Sequence, residues 1–225
     1  MAFISKRYKK ESAQVSDKPV SLPEAVEKIK SFKTVKFDQT IDCVIHLGID
    51  TKQADQLIRG SISLPHGIGK QKKVIAFCED IDVEGAKKAG AIEAGSDELI
   101  KKVLDGWSDF DVAIASPKVM GKAGKLGRVL GPQGKMPSPK NGTVTAEVAK
   151  AVAEFAAGKV EFKNDSGGNV HVVVGKQSFE TQKLVENIEA FISFIKRMKP
   201  ATAKGIYIKK ACISATMTPS MQINV

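Results

Sequence analysis

Cysteine is scarce in this sequence. Cys43, Cys78 and Cys212 lie far apart in 225 residues, are odd in number, and lack the paired spacing of a zinc site. Such a set excludes a disulfide framework and fits a reduced, cytoplasmic compartment. Long apolar runs are missing too. Patches such as VIAFC (74–78) suit buried strands and are too short to cross a bilayer. The basic opening MAFISKRYKKESAQ is not followed by the apolar run of a signal peptide, so no membrane association is expected.

Catalytic signatures are equally absent. A phosphate-loop reading of GPQGKM fails because Met136 stands at the hydroxyl position and Val129 where the leading glycine belongs. GIGKQ (67–71) fails in the same way, at Leu64 and Gln71. GAKKAG does not match the dinucleotide fingerprint, and no GxSxG turn is present. His46, His66 and His171 are scattered. No catalytic residue, metal site or cofactor is therefore expected.

Acid is missing from two long stretches, and this is the most informative absence. None occurs from 112 to 146, where Lys118, Lys122, Lys125, Arg128, Lys135 and Lys140 stand, and none after Glu189, where six further bases follow. The acids gather instead at 79–111, ten against four lysines. Overall, 35 Lys and Arg against 25 Asp and Glu leave a charge of +10, which points to a polyanionic partner.

What is present reads as alternating helices and strands. SLPEAVEKIKSF (21–32) has Ser21 and Glu24 at capping-box spacing, Pro23 in the first turn, and an apolar stripe of Ala25, Val26, Ile29 and Phe32. IDCVIHLGI (41–49) alternates as a half-buried strand. KVIAFC (73–78) and FDVAIA (110–115) are nearly continuous apolar runs, as in strands covered on both faces, with helical segments between and after them. From 159, KVEFKN and NVHVVVG flank a DSGG turn and predict a hairpin. A helix at 179–198 and a strand at 204–217 follow, in which Lys209 and Lys210 break the alternation.

Neither end of the chain has enough surface to bury alone. The economical solution joins them. Residues 1–67 and 159–225 form one discontinuous domain, and 68–158 form an inserted one. The fold class expected is α/β in two domains: a discontinuous α+β domain with a mainly antiparallel sheet, and an inserted Rossmann-like α/β domain with a mainly parallel sheet.

Three stretches resemble a known family. KFDQTIDCVIHLGIDTKQADQLIRGSISLPHGIGK (36–70), GKLGRVLGPQGKMPSPKNGTVT (124–145) and KGIYIKKACISATMT (204–218) are similar, in order and spacing, to the signatures of the ribosomal protein L1 family in its bacterial type. The resemblance runs essentially end to end. It implies a non-catalytic component of the mobile stalk of the large ribosomal subunit. Such a component binds large-subunit rRNA, assists release of deacylated tRNA, and represses translation of its own operon mRNA. The alternative is a non-ribosomal RNA-binding translational regulator. A monomer is expected off the ribosome.

The resemblance assigns the main RNA contacts to Lys36, Phe37, Thr216, Met217, Thr218, Pro219 and Ser220. Lysine can neutralise phosphate, a threonine hydroxyl can meet a ribose hydroxyl, and Phe37 and Met217 offer apolar surface. Two departures stand out: Thr218 where the family has glycine, and Ser166 where it commonly has lysine. Secondary basic contacts are Lys6, Arg7, Lys9, Lys10, Lys209 and Lys210, the first four either folding onto a phosphate backbone or forming a disordered tail. In the stiff segment 129–145, together with Arg128, Lys135 and Lys140 form either a basic rim open to RNA or a solvated connection that defines the fold.

Overall fold

Alternate residues of Thr40–Leu47 are buried, and this strand, β1, organises the first half of the molecule. The structure is a computed structural model describing residues 5–16, 18–32 and 35–224. Two compact units make it up, 1–69 with 162–225 and 70–161, in an α/β architecture with mixed sheets.

In unit one, β1 pairs antiparallel with β7 (Asn169–Lys176) on one side and β8 (Ile208–Ala215) on the other, and β8 pairs with β9 (Met221–Ile223). The inward set Ile41, Cys43, Ile45 and Leu47 joins a core with helices α2 (Leu22–Ser31) and α8 (Thr181–Arg197). Ala25, Val26 and Ile29 are the buried stripe of α2; Leu184, Ile188, Phe191 and Ile195 are that of α8. Ser21 is the N-cap of α2, but its hydroxyl makes no capping hydrogen bond, so the expected capping box is not realised. The expected hairpin of KVEFKN and NVHVVVG, 159–175, is also different. One antiparallel bridge, Asn164 to Val170, links its arms, while β6 (Val160–Lys163) pairs with β2 (Arg59–Ile62) and β7 with β1.

In unit two, β3 (Val74–Phe77) lies between β4 (Glu93–Gly95) and β5 (Val112–Ala115), parallel to both. All four residues of β3 and of β5 are buried because each face has its own core. Ile75 and Phe77 pack with α4 (Asp97–Leu104) and α5 (Pro117–Ala123) residues Leu99, Val103 and Val119. Val74 and Ala76 pack on the other side with Ala86 of α3 (Asp80–Lys88) and with Val152 and Phe155 of α7 (Val148–Ala156). The glycine- and proline-rich stretch is more ordered than a connection: α6 (Gly127–Gln133) includes Pro132, and Pro139–Asn141 make a 3-10 turn. Among the described residues no helix is long and apolar enough to cross a membrane.

Candidate nucleic-acid interface

The expected contacts come from two segments that the strand pairing brings side by side. Residues 35–39 lead from α2 into β1, and 216–220 leave β8 toward β9. Thr216 N–H donates to the Thr40 carbonyl at 3.1 Å, and Thr40 N–H donates to Thr216 Oγ1 at 3.1 Å. Met217 N–H donates to Gln39 Oε1 at 2.9 Å. On the other flank, Asp38 accepts from Ser178 N–H at 3.0 Å and from its hydroxyl at 2.8 Å.

This framework leaves two large apolar side chains in solvent: Phe37 is 52% and Met217 44% exposed. Lys36 and Ser220 are exposed beside them. Arg7 reaches the same loop and donates from Nη2 to the Met217 carbonyl at 3.3 Å. A carbonyl carries no net charge, so the guanidinium keeps its full positive charge at this site.

The rest of the expected set does something else. Thr218 and Pro219 are buried, so their side chains support the turn and present no contact surface. Thr218 N–H donates to the Ala215 carbonyl at 3.1 Å, while Ala215 N–H donates to Thr218 Oγ1 at 3.0 Å. The hydroxyl thus closes the end of β8. No non-glycine residue among those described has a positive φ, so threonine fits here without the left-handed backbone that would demand glycine. The hydroxyl of Thr216 is likewise engaged with Thr40, donating to its carbonyl at 3.3 Å. Its expected role as a ribose partner is reduced to one remaining acceptor position.

The secondary bases fall into two places. Lys6, Arg7, Lys9 and Lys10 lie on a helix, α1 (Lys6–Ser12), capped by Ser5 Oγ accepting from Tyr8 N–H at 3.3 Å. Lys209 and Lys210 lie toward the opposite end of β8 from Thr216. His46 pairs with Lys210 and Leu47 with Ile208, which makes Lys209 the extra residue of a β-bulge. The bulge explains why two consecutive lysines are both exposed, an irregularity the sequence showed without a cause.

At the same end, the turn carrying Ser166 is tied by Asp165, whose carboxylate accepts from Asn169 N–H at 2.7 Å, Gly167 N–H at 2.9 Å and Asn169 Nδ2 at 3.0 Å. These bonds, those from Asn169 first, hold its pKa down at about 2. Nearby on the sheet, burial raises the pKa of Asp42 against the opposing pull of His171 and Lys176. Burial likewise pushes the Cys43 thiol up to about 12.

In unit two, Lys135 is half-buried. Its Nζ donates to the Ser108 carbonyl at 3.0 Å and lies 5.0 Å from the Phe110 ring centroid, so it staples the segment inward. Arg128 and Lys140 are exposed.

Sequence reasoning missed Gln39, which is 0% exposed, and Gln177, whose backbone N–H donates to the Gln39 carbonyl at 2.8 Å. A signal existed: position 39 falls in the inward register of 41, 43, 45 and 47, where a polar residue is out of place.

Among the described residues no group of three or more His, Cys, Asp or Glu side chains is placed to hold a metal ion. Exposed apolar surface framed by cations, on loops fixed by backbone hydrogen bonds, belongs to the class of nucleic-acid-binding proteins. The chain is a member of the ribosomal protein L1p/L10e family, whose model matches residues 29–219. Members of this family are ribosomal proteins and not enzymes.

Three relatives carry the name large ribosomal subunit protein uL1. That of Rhodopirellula baltica is 54% identical over 223 residues, covering 99% of each chain. That of Kosmotoga olearia is 50% identical over 222 residues, covering 98% of this chain and 96% of its own. That of Chlorobaculum tepidum is 46% identical over 224 residues, covering 99% of this chain and 97% of its own.

Proposed function

We propose that this chain is a structural component of the large-subunit stalk and grips large-subunit rRNA through unit one. In this reading the discontinuous α+β domain, with its antiparallel sheet, is the rRNA-binding domain, and the inserted domain is Rossmann-like. The observation that carries the proposal is the pair of adjacent loops that hold Phe37 and Met217 half in solvent beside Lys36 and Arg7. Apolar side chains of this size can lie against ribose or unstacked bases, and the cations against phosphate. Lys6, Lys9 and Lys10 on α1, and Lys209 and Lys210 at the bulge, extend the field that a folded RNA meets.

Arg128, Lys135 and Lys140 are the inserted-domain residues proposed to meet deacylated tRNA as it leaves; Arg128 and Lys140 are exposed, while Lys135 is half-buried and bonds the Ser108 carbonyl. Repression of the chain's own operon mRNA follows if that mRNA mimics the rRNA site. The protein works in the cytoplasm, as a monomer when off the ribosome, and needs no cofactor.

Binding of the full chain to an RNA containing the stalk site, compared with an unrelated RNA duplex over a series of salt concentrations, tests the central part. Phosphate attraction alone decays steeply with salt and treats the two RNAs alike. A preference for stalk RNA that persists at high salt is expected, and equal affinities would overturn the proposal. For tRNA, unchanged occupancy in ribosomes carrying Arg128→Ala/Lys140→Ala would remove that part alone.

A further inference from the structure

Two amides, that of Gln39 fully buried and that of Gln177 half-buried, lie behind the loops of the candidate interface, and their orientation is forced from both ends. Met217 N–H can only donate, so the Gln39 atom facing it is Oε1, at 2.9 Å. The Nε2 of Gln39 then faces Gln177 and donates to Oε1 at 3.1 Å. That leaves Gln177 Nε2 toward the carbonyls that end α2, those of Ile29 at 3.2 Å, Lys30 at 3.4 Å and Phe32 at 3.5 Å. Carbonyls can only accept. Donor and acceptor therefore alternate in one direction from the Met217 loop to the end of α2, and flipping either amide breaks the series at both of its contacts.

We propose that Gln39 and Gln177 are positioning residues for RNA recognition, setting the spacing between Phe37 and Met217; this rests on the RNA-binding reading above. Gln39 is two residues from Phe37 in the chain, and its side chain holds the N–H of Met217. One fully buried side chain thus connects the two exposed apolar residues that come from opposite ends of the sequence. Asp38 fixes the same segment to Ser178, so the Phe37 loop cannot shift without also leaving that partner. Thr40 and Thr216 fix the strands just behind. Gln39 is where these ties meet. Its acceptor oxygen reaches across to the Met217 loop, and Gln177 keeps that oxygen turned toward it. An ordinary buried polar pair would stabilise the fold and leave recognition by the folded protein untouched, and this difference is what can be measured.

The test uses the full chain with Gln39→Leu, which removes the acceptor, and Gln39→Glu, whose buried carboxyl in its neutral form keeps the acceptor and donates from its hydroxyl to Gln177 Oε1 without turning that amide. Three quantities are read: thermal unfolding, hydrogen exchange of the Met217 amide without RNA, and affinity for stalk RNA against the unrelated duplex. Below its unfolding transition, Gln39→Leu is expected to bind stalk RNA about ten-fold more weakly and to exchange the Met217 amide at least ~ten-fold faster, with duplex binding unchanged. Gln39→Glu should stay within about three-fold of wild type in both.

Should Gln39→Leu fail to fold, Gln177→Leu keeps the acceptor but loosens its anchor, and a loss of about three-fold in stalk affinity is expected. A folded Gln39→Leu, or a folded Gln177→Leu in its place, that binds as wild type overturns the proposal. So does a Gln39→Glu as impaired as Gln39→Leu. If wild type itself shows no preference for stalk RNA, the RNA-binding reading falls. The exchange of the Met217 amide, measured without RNA, would still decide whether Gln39 holds the turn.

Discussion

The two units carry their charge in different ways. In unit two, lysines sit on nearby carboxylates: Lys73 on Asp109 at 2.7 Å, Lys122 on Asp97 at 2.8 Å, Lys118 on Glu79 at 3.0 Å, and Lys102 on Glu93. These exposed pairs add little stability, typically less than about 1 kcal/mol each, but they neutralise the local field. At the interface of unit one the pattern is reversed. Lys36 is exposed, Arg7 bonds a neutral carbonyl, and the apolar groups between them are held by backbone and amide hydrogen bonds. Exposed apolar residues also differ in setting. Ile81 and Ile92 of unit two, 89% and 50% exposed, stand in the acid-rich segment, which repels a phosphate backbone. Phe37 and Met217 stand among cations. A basic sequence thus contains one region where large apolar groups stand exposed beside cations and another where several lysines are paired with carboxylates.

The largest effects that can break this comparison come from the cores. Phe191 in unit one and Phe155 in unit two are both fully buried, and each truncation to alanine should cost about 3–5 kcal/mol. Calorimetry should show losses of similar size. Affinity for stalk RNA should collapse in Phe191→Ala and stay within about three-fold in Phe155→Ala. Equal loss of RNA binding in both would mean that the interface does not belong to unit one alone.

A smaller effect is expected from acid. Asp165 has a folded pKa of about 2, below the value of about 4 for an unfolded aspartate. Its contribution is therefore fully present above the unfolded value and is lost as pH falls through the folded one. Amide signals of Gly167 and Asn169 should shift together with a midpoint near pH 2. Asp165→Asn should flatten that response. A midpoint near the unfolded value would show that the turn is not held by these bonds.

The smallest effect has the opposite sign. Gly121 lies inside α5, and a Cβ there would meet nothing within 4 Å. Gly121→Ala should stabilise unit two by roughly 0.5–1 kcal/mol on helix propensity alone, read from urea unfolding midpoints. A destabilised variant would show that a Cβ at position 121 meets a neighbour after all, or that α5 is not helical there.

The sequence was most legible where burial is one-sided or complete. The stripe of α2, the alternation of β1 and the all-apolar β3 and β5 each have a period that exposes their packing. Short elements escaped. Glu93–Gly95 and Met221–Ile223 have three residues each, too few to show a period, and exist because a neighbouring strand pairs with them. Helices α5 and α6 were hidden by Gly121, Gly124, Gly127, Gly131 and Pro132, residues that individually disfavour helix.

At the candidate site, Phe37 and Met217 were legible only through the family resemblance. From the residues alone, Phe37 reads as readily as a core residue preceding a strand and Met217 as a cap on the edge of the sheet. The inward turn of the Thr218 side chain, which closes β8 through Ala215, had no signal in the sequence. Gln39 gave a signal through its register, but the meaning of that signal required Gln177, 138 residues away.

The most direct measurement of the central claim is stalk-RNA affinity of Phe37→Ala/Met217→Ala, taken at low and high salt beside the unrelated duplex. Removing two half-exposed apolar groups leaves every charge in place. Stalk affinity should fall at both salt concentrations, the preference over duplex should disappear, and the salt dependence should remain that of wild type. A variant that keeps the wild-type preference would contradict it, because the loops that hold Phe37 and Met217 in solvent would then not be where RNA is recognised.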